Sequence, residues 1–525
     1  MSAIRVRARS GGRASARSPD CAAAARRAAD RASACPSSAG CSAWGRRRPR
    51  QALAVCVLLA ALAGCAAVGP DYRRPDAPTS AGFKEAEGWK LAQPQPAAST
   101  GRWWSVYGDP LLDSLVAQVE VSNQNVIAAE AQYRQALALL GAARAPQLPT
   151  VSAAASAAVG RNASAAAISS VNASAPINKT YRESLSLSWE ADVWGRIRRA
   201  IESNEAAAQA GEADLQAALL SAQATLVQSY LQLRVIEAQR QLLDDTQKAF
   251  ERSLQITRNR YEAGVAARSD VSQAETQLLS ARSQAIDLQV GRAQTEHAIA
   301  ALVGKPPSEL QIPVTAMVPA LPALPLSLPS ELLERRPDIA AAERRVAAAN
   351  AQIGIAQAAF FPTISLGGTF GITSSVISNL ASLPYRFWSI GPSLAATLFD
   401  NGLRSAQKES AVAAWDRTVA IYRQTVLTAF QDVEDNLVAL RVLEQEDLVQ
   451  RDVVRSATEA LEQVNNQYLA GTVSFLNVIT AQATLLNARS TLLGISGRRL
   501  AAAVGLQRAL GGDWRDTRAE ARRSY

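Results

Sequence analysis

The chain has 525 residues, 48% hydrophobic but only 5% aromatic, a balance that suits long helices packed through small side chains and argues against a large globular core. Its formal net charge of +9 invites a nucleic-acid reading, but residues 1–64 carry twelve Arg, no Lys and two Asp, leaving 43 basic and 44 acidic residues beyond them, so no nucleic acid is expected as a partner. All five cysteines, at 21, 35, 41, 56 and 65, precede residue 66, and the one histidine, His297, lies in a helical run, so metal sites and His-based catalysis have almost no material and no enzyme activity is expected.

Taken in order, residues 1–45 fit no leader pattern, whereas Arg46–Arg50 followed by thirteen apolar residues, Ala52 to Gly64, reads as a signal peptide too short to span a membrane. The run ends Leu62-Ala63-Gly64-Cys65, which resembles the bacterial lipobox. Cys65 is the expected lipid attachment site, and that covalent lipid the only non-protein group expected. Cys56 is a weaker candidate, because Val55 precedes it and it splits the apolar run. Residues 65–109 are rich in Pro and Gly and read as a lipid-anchored equatorial segment rather than a domain. Asp109 can cap a helix that Pro110 opens and Pro146 stops, about 35 residues and ~52 Å long.

The period then changes. Leu185, Leu187, Trp189, Ala191 and Val193 alternate with Ser184, Ser186, Ser188, Glu190 and Asp192, a strand with one apolar and one wet face. The same habit marks Val151 to Val159, Ile364 to Ile372 and Trp388 to Leu398, giving hairpins over 150–193 and 361–399. Such strands have the length of outer-membrane barrel strands, ~9–11 residues, although a sheet on a soluble core would alternate in the same way. From Gly195 to Ala263 no proline occurs, and Leu215, Leu219, Leu226, Leu233 and Leu243 fall on a coiled-coil series, predicting a helix ~100 Å long. A helix over 269–304 follows the Gly264 turn, and a linker with seven prolines, 305–329, closes this part.

The chain is a tandem duplication. Arg260-Tyr-Glu-Ala-Gly264 returns 207 residues later as Gln467-Tyr-Leu-Ala-Gly471, and Arg234 with Arg441, Leu278 with Leu485 and Gly304 with Gly511 share that offset. Upstream the offset is 213, pairing Pro149-Thr-Val-Ser152 with Pro362-Thr-Ile-Ser365. The first repeat therefore covers 110–304 and the second 330–511, with a helix, the second hairpin, a long helix over 402–470 and a last helix over 475–510; residues 512–525 form a tail. Four strands cannot close a barrel, and open edges are not tolerated in lipid, so a spanning protein must oligomerise: eight strands from two chains would be filled by side chains, twelve from three would leave a pore. Glu190 and Asp192 are then expected to face the lumen.

Cys65-Ala-Ala-Val-Gly-Pro-Asp-Tyr72, Trp103-Trp104, Ser188-Trp-Glu-Ala-Asp-Val-Trp-Gly-Arg196, Glu334-Arg-Arg-Pro-Asp338, Ala358-Ala-Phe-Phe-Pro-Thr-Ile-Ser365 and the paired Tyr-x-x-Gly turns resemble the NodT/OprM branch of TolC-like outer-membrane factors over residues 65–512. The resemblance implies an α+β, TolC-like fold: a homotrimer with a twelve-stranded barrel in the outer membrane, continued into the periplasm by a barrel of helices. It implies the exit duct of a tripartite efflux pump, with a periplasmic adaptor and an inner-membrane transporter, of the RND type, as partners. It also implies a tip latch, here a Tyr468 hydroxyl to Asp270 carboxylate bond, and adaptor contacts at the turns around Gly264 and Gly471. Val473, Asn477 and Thr480 stand where TolC has an arginine and two aspartates, which argues against a carboxylate ring at the tip. Two rival readings are a TolC-like duct for protein secretion and a structural coiled-coil lipoprotein.

Overall fold

The computed structural model describes residues 67–78, 82–85, 102–161, 177–322, 336–379 and 382–512. The chain divides into two compact units, Met1–Gly64 and Cys65–Tyr525. The first, with the signal-peptide reading, lies outside the described residues, as do Cys65 and the tail from 513.

In the second unit a 3-10 turn, Trp103–Tyr107, leads into helices α1 (Pro110–Ser122) and α2 (Gln124–Arg144), then strands β1 (Thr150–Arg161) and β2 (Ile177–Ala191). Helices α3 (Arg196–Glu262) and α4 (Arg268–Leu302) complete the first repeat. The second holds α5 (Pro337–Ala358), β3 (Thr363–Ser374), β4 (Arg386–Ala395), α6 (Leu403–Leu469) and α7 (Phe475–Ala509). The long helices α3 and α6 have 67 residues each, ~100 Å, and α4 and α7 have 35 each. Helices α2 and α4 both pack on α3, α7 packs on α6 and α3, and α5 lies against both α3 and α6.

The helix expected over 110–144 is broken. Asn123 adopts an extended backbone, and its side-chain oxygen accepts from the amides of Asn125 and Val126, capping α2. Its side-chain amide donates to the Leu302 carbonyl at 2.7 Å, so the start of α2 meets the end of α4. The second repeat makes the equivalent join differently: Arg336, 213 residues after Asn123, donates to the carbonyl of Ala509, 207 residues after Leu302. Head-to-tail joins of this kind let two short helices run as one beside each long helix. Gly304 makes the first join possible, because with φ +71° it sits where a Cβ would stand 2.2 Å from the Ser122 carbonyl oxygen.

The four strands form one antiparallel sheet in the order β1-β2-β3-β4. Strand β2 is longer than its alternation suggests, beginning at Ile177 and ending at Ala191. Charged Lys179 and Glu183 interrupt the apolar series there, but backbone pairing continues to Arg161 of β1. Val193 and Leu398, expected in strands, lie beyond them.

Candidate functional site

Directly paired residues share a face of a sheet. The register makes Ala153, Leu185, Phe370 and Trp388 one row and Val151, Leu187, Gly368 and Ile390 the next, so the apolar residues of all four strands lie on one side. That side is bare: Trp388 is 74% exposed, Ile390 67% and Leu394 69%. A sheet on a soluble core would have this face covered, so its bareness marks a surface for lipid. No helix among the described residues is long and apolar enough to cross a membrane.

At the foot of the sheet the two acids expected to face the lumen are engaged in structure. Glu190 accepts two bonds from Arg196, at 3.0 and 2.7 Å. Asp192 lies outside β2 and takes the backbone amides of Ile197 and Arg198 at 2.9 and 2.8 Å, satisfying donors that the first turn of α3 would otherwise leave open. Both carboxylates therefore fix the turn from strand to helix: Glu190 keeps its place on the serine face of β2 but is paired with Arg196, and Asp192 lies beyond the strand. Trp194 stacks on Phe361 at 4.8 Å and donates to the Pro362 carbonyl, tying the two hairpins together.

The segment after Cys65 runs from this foot along the helices. Val68 donates its amide to the Trp194 carbonyl, and Ala67 packs against Gly195 so closely that a Cβ there would meet it at 2.5 Å. Buried Arg199 donates to the carbonyls of Val68 and Gly69 and to Asp71, and the Asn350 side chain to the Pro70 carbonyl. Tyr72 hydrogen-bonds Glu343; burial and that carboxylate both push its phenol far up.

Farther along the rod the duplicated arginines hold two different straps. Arg234 donates to Glu237, to the Tyr230 hydroxyl and to the Pro313 carbonyl, while Arg292 bridges Glu237, Glu296 and the Ile312 carbonyl. Residues 312–315 of the linker are thereby clamped to α3 and α4. In the second repeat Arg441 pairs with Glu85 instead, so the N-terminal segment takes the linker's place. Tyr230 also donates to Asp109; burial first and that carboxylate second push its hydroxyl up to about 12. Burial works against the charge of Arg336, but Asp338 and Asp432 outweigh it and hold its guanidinium above the ordinary value. The duplication singled out Arg234 and Arg441, but nothing in the sequence showed which segments they would hold.

At the far end, Gly264 and Gly471 take φ of +75° and +77°, and a Cβ on either would meet nothing within 4 Å, so the glycines serve backbone shape and their turns are open surface. The expected latch is not formed among the described residues of the protomer. The Asp270 carboxylate accepts from the Ala267 amide at the start of its own helix. The Tyr468 hydroxyl is buried with no hydrogen-bond partner among the described residues, and its ring packs against Phe475 in an apolar cluster with Leu254, Ala274 and Val478. A polar link between the two tip hairpins comes from Arg260, which donates to the Leu469 carbonyl at 3.2 Å and lies 4.8 Å over the Tyr468 ring. Arg260 stood in the repeated turn motif, yet its copy is Gln467, so the repeat itself hid its role.

The outer membrane efflux protein family matches residues 115–305 and 328–512, the two repeats in turn. The chain belongs to that family. Among relatives of this efflux protein, the toluene efflux pump outer membrane protein TtgC of Pseudomonas putida is 32% identical over 472 residues, covering 88% of this chain and 95% of TtgC. The pyoverdine export outer membrane protein OpmQ of Pseudomonas aeruginosa is 30% identical over 467 residues, covering 88% and 98%. The solved structure of the outer-membrane channel OprN matches with a TM-score of 0.79 at 33% identity, covering 85% of this chain and 99% of OprN. The efflux protein thus has the TolC-like fold, with its strands in the outer membrane and its helices extending into the periplasm.

Proposed function

We propose that this chain is the outer-membrane exit channel of a tripartite efflux pump, that it acts as a homotrimer, and that Cys65 carries its lipid. The bare four-stranded sheet carries this reading. Its edges β1 and β4 are unpaired among the described residues of the protomer, and twelve strands from three copies close with an open lumen where eight would be filled. The long helices would then stand in the periplasm as the wall of a passive duct, with the turns at Gly264 and Gly471 presented to a periplasmic adaptor and an inner-membrane transporter of the RND type supplying the energy. The lipid reading is supported by the sequence Leu62-Ala63-Gly64-Cys65 and by the packing of Ala67 at the foot of the sheet. Relatives named for toluene and for pyoverdine are about equally similar to this chain, which supports a duct whose cargo is chosen by the pump.

Cross-linking in cells, purification in detergent and mass spectrometry of what is recovered tests the assignment. A periplasmic adaptor with a proton-driven transporter is expected; an ATP-driven exporter alone would favour the secretion duct, and a particle of monomer size would overturn the trimer. Labelled palmitate should enter the protein and fail to enter Cys65→Ser.

A further inference from the structure

The sheet face that looks away from lipid is built from small residues, such as Ser152, Ser186, Ser188, Thr369, Ser389 and Ser393. Two large side chains interrupt it toward the end remote from the helices, and they touch: the Arg182 guanidinium carbon lies 4.6 Å from the centre of the Phe387 ring. Phe387 pairs across β3–β4 with Gly371, and a Cβ on Gly371 would stand 2.8 Å from the ring. Glycine there lets the ring lie down on the sheet, half-buried, with its other face under the guanidinium. Covering a strand glycine with a cross-strand aromatic stabilises a sheet, but that leaves the arginine unexplained.

Charge balance separates this arginine from those at the helix end of the sheet. At the helix end of the sheet Arg196 is paired with Glu190, Arg198 with Asp192 and Arg404 with Asp400. Arg182 has no ion pair among the described residues. The connecting segments 162–176 and 375–385 contain no Asp or Glu that could neutralise it, and neighbouring Glu183 belongs to the opposite, lipid-facing side. Of the described strand residues on the lumen side, the only other charged one is Glu190, which Arg196 satisfies.

We propose that three Arg182–Phe387 pairs, one from each protomer of the closed barrel, form an electropositive collar near the outer end of the duct that favours anions and anionic aromatic solutes. The proposal rests on the trimeric-duct reading. An unneutralised cation in a narrow water-filled passage concentrates anions and repels cations. Phe387 is a positioning residue: its ring holds the guanidinium by cation–π attraction at a level where the other side chains are too short to narrow the lumen.

Two measurements on the full-length protein test this. In planar bilayers under a KCl gradient, Arg182→Ala should lower the chloride-to-potassium permeability ratio by about twofold or more, Arg182→Glu should lower it further, and Arg182→Lys should largely preserve it. Phe387→Ala should give an intermediate ratio. An unchanged ratio in Arg182→Ala and Arg182→Glu would overturn the collar while leaving the duct intact, whereas absence of current from the unmodified trimer would overturn the duct reading beneath it. Because no cysteine follows Cys65, Arg182→Cys can also be probed in intact cells with membrane-impermeant thiosulfonates. Labelling is expected at Arg182→Cys, faster with the anionic than with the cationic reagent while two arginines of the collar remain in mixed trimers, and is not expected at Trp388→Cys on the lipid side. Labelling at Trp388→Cys but not at Arg182→Cys would overturn the assignment of faces and the collar with it.

Discussion

Replacing Arg260 by alanine should loosen the periplasmic tip. The guanidinium makes one charged hydrogen bond to the last carbonyl of α6, at 3.2 Å, and one stacking contact on Tyr468 at 4.8 Å. A half-exposed bond of this kind contributes about 1–1.5 kcal/mol and the cation–π contact about 0.5–1 kcal/mol. Their loss, about 2 kcal/mol per protomer, changes the ratio of closed to open arrangements by roughly 30-fold, since each 1.4 kcal/mol is a factor of ten. Single-channel recording should show a higher resting open fraction, and cells carrying the variant should admit large antibiotics that the parent excludes. Arg260→Lys should recover only part of the effect, because an ammonium lacks the planar face that lies over the ring. Asp270→Ala should cost about 1 kcal/mol of local helix stability without raising leak, because its carboxylate serves its own helix start. Tyr468→Phe should leave the tip closed, because the hydroxyl it removes has no partner among the described residues. Unchanged resting conductance in Arg260→Ala, in a protein that still assembles, would overturn this account of the tip; so would a large leak in Tyr468→Phe.

Gly304→Ala should destabilise by about 2–4 kcal/mol, combining a left-handed backbone with a collision against the Ser122 carbonyl. Gly264→Ala, with a similar φ but open space, should cost only about 1 kcal/mol, and thermal unfolding in detergent compares the two. Ile390→Arg places a charge in the middle of the bare apolar face, at a cost of about 2–4 kcal/mol at mid-membrane, and should lower the amount of assembled protein in outer-membrane fractions. Tyr230 ionises in the fold near 12 rather than at 10, so it contributes stability that is complete below about pH 10 and is lost as pH rises through about 12. The contribution is at most about 2–3 kcal/mol; in Tyr230→Phe the alkaline loss of stability should flatten, and a pH–melting profile unchanged from the parent would contradict it.

The repeat, the alternating strands, the two 67-residue helices and the glycine turns were all legible in the sequence, because each is written in local periodicity and backbone preference. Strand ends blurred at Lys179 and Glu183, where pairing to β1 outlasts the apolar pattern. Choices between partners distant in sequence emerged only once the chain was folded. Asn123 reads as an ordinary helix residue until Leu302 stands beside it, 179 residues away. Glu190 and Asp192 sit where alternation points to the lumen, but arginines and open amides at the start of α3 lie nearer than water and satisfy them. Tyr468 and Asp270 stand on the two separate tip hairpins without meeting, because an apolar cluster claims the ring and a helix start claims the carboxylate. Periodicity fixes which face a residue occupies; which neighbour satisfies its polar atoms depends on packing between elements, and a single sequence does not encode that locally.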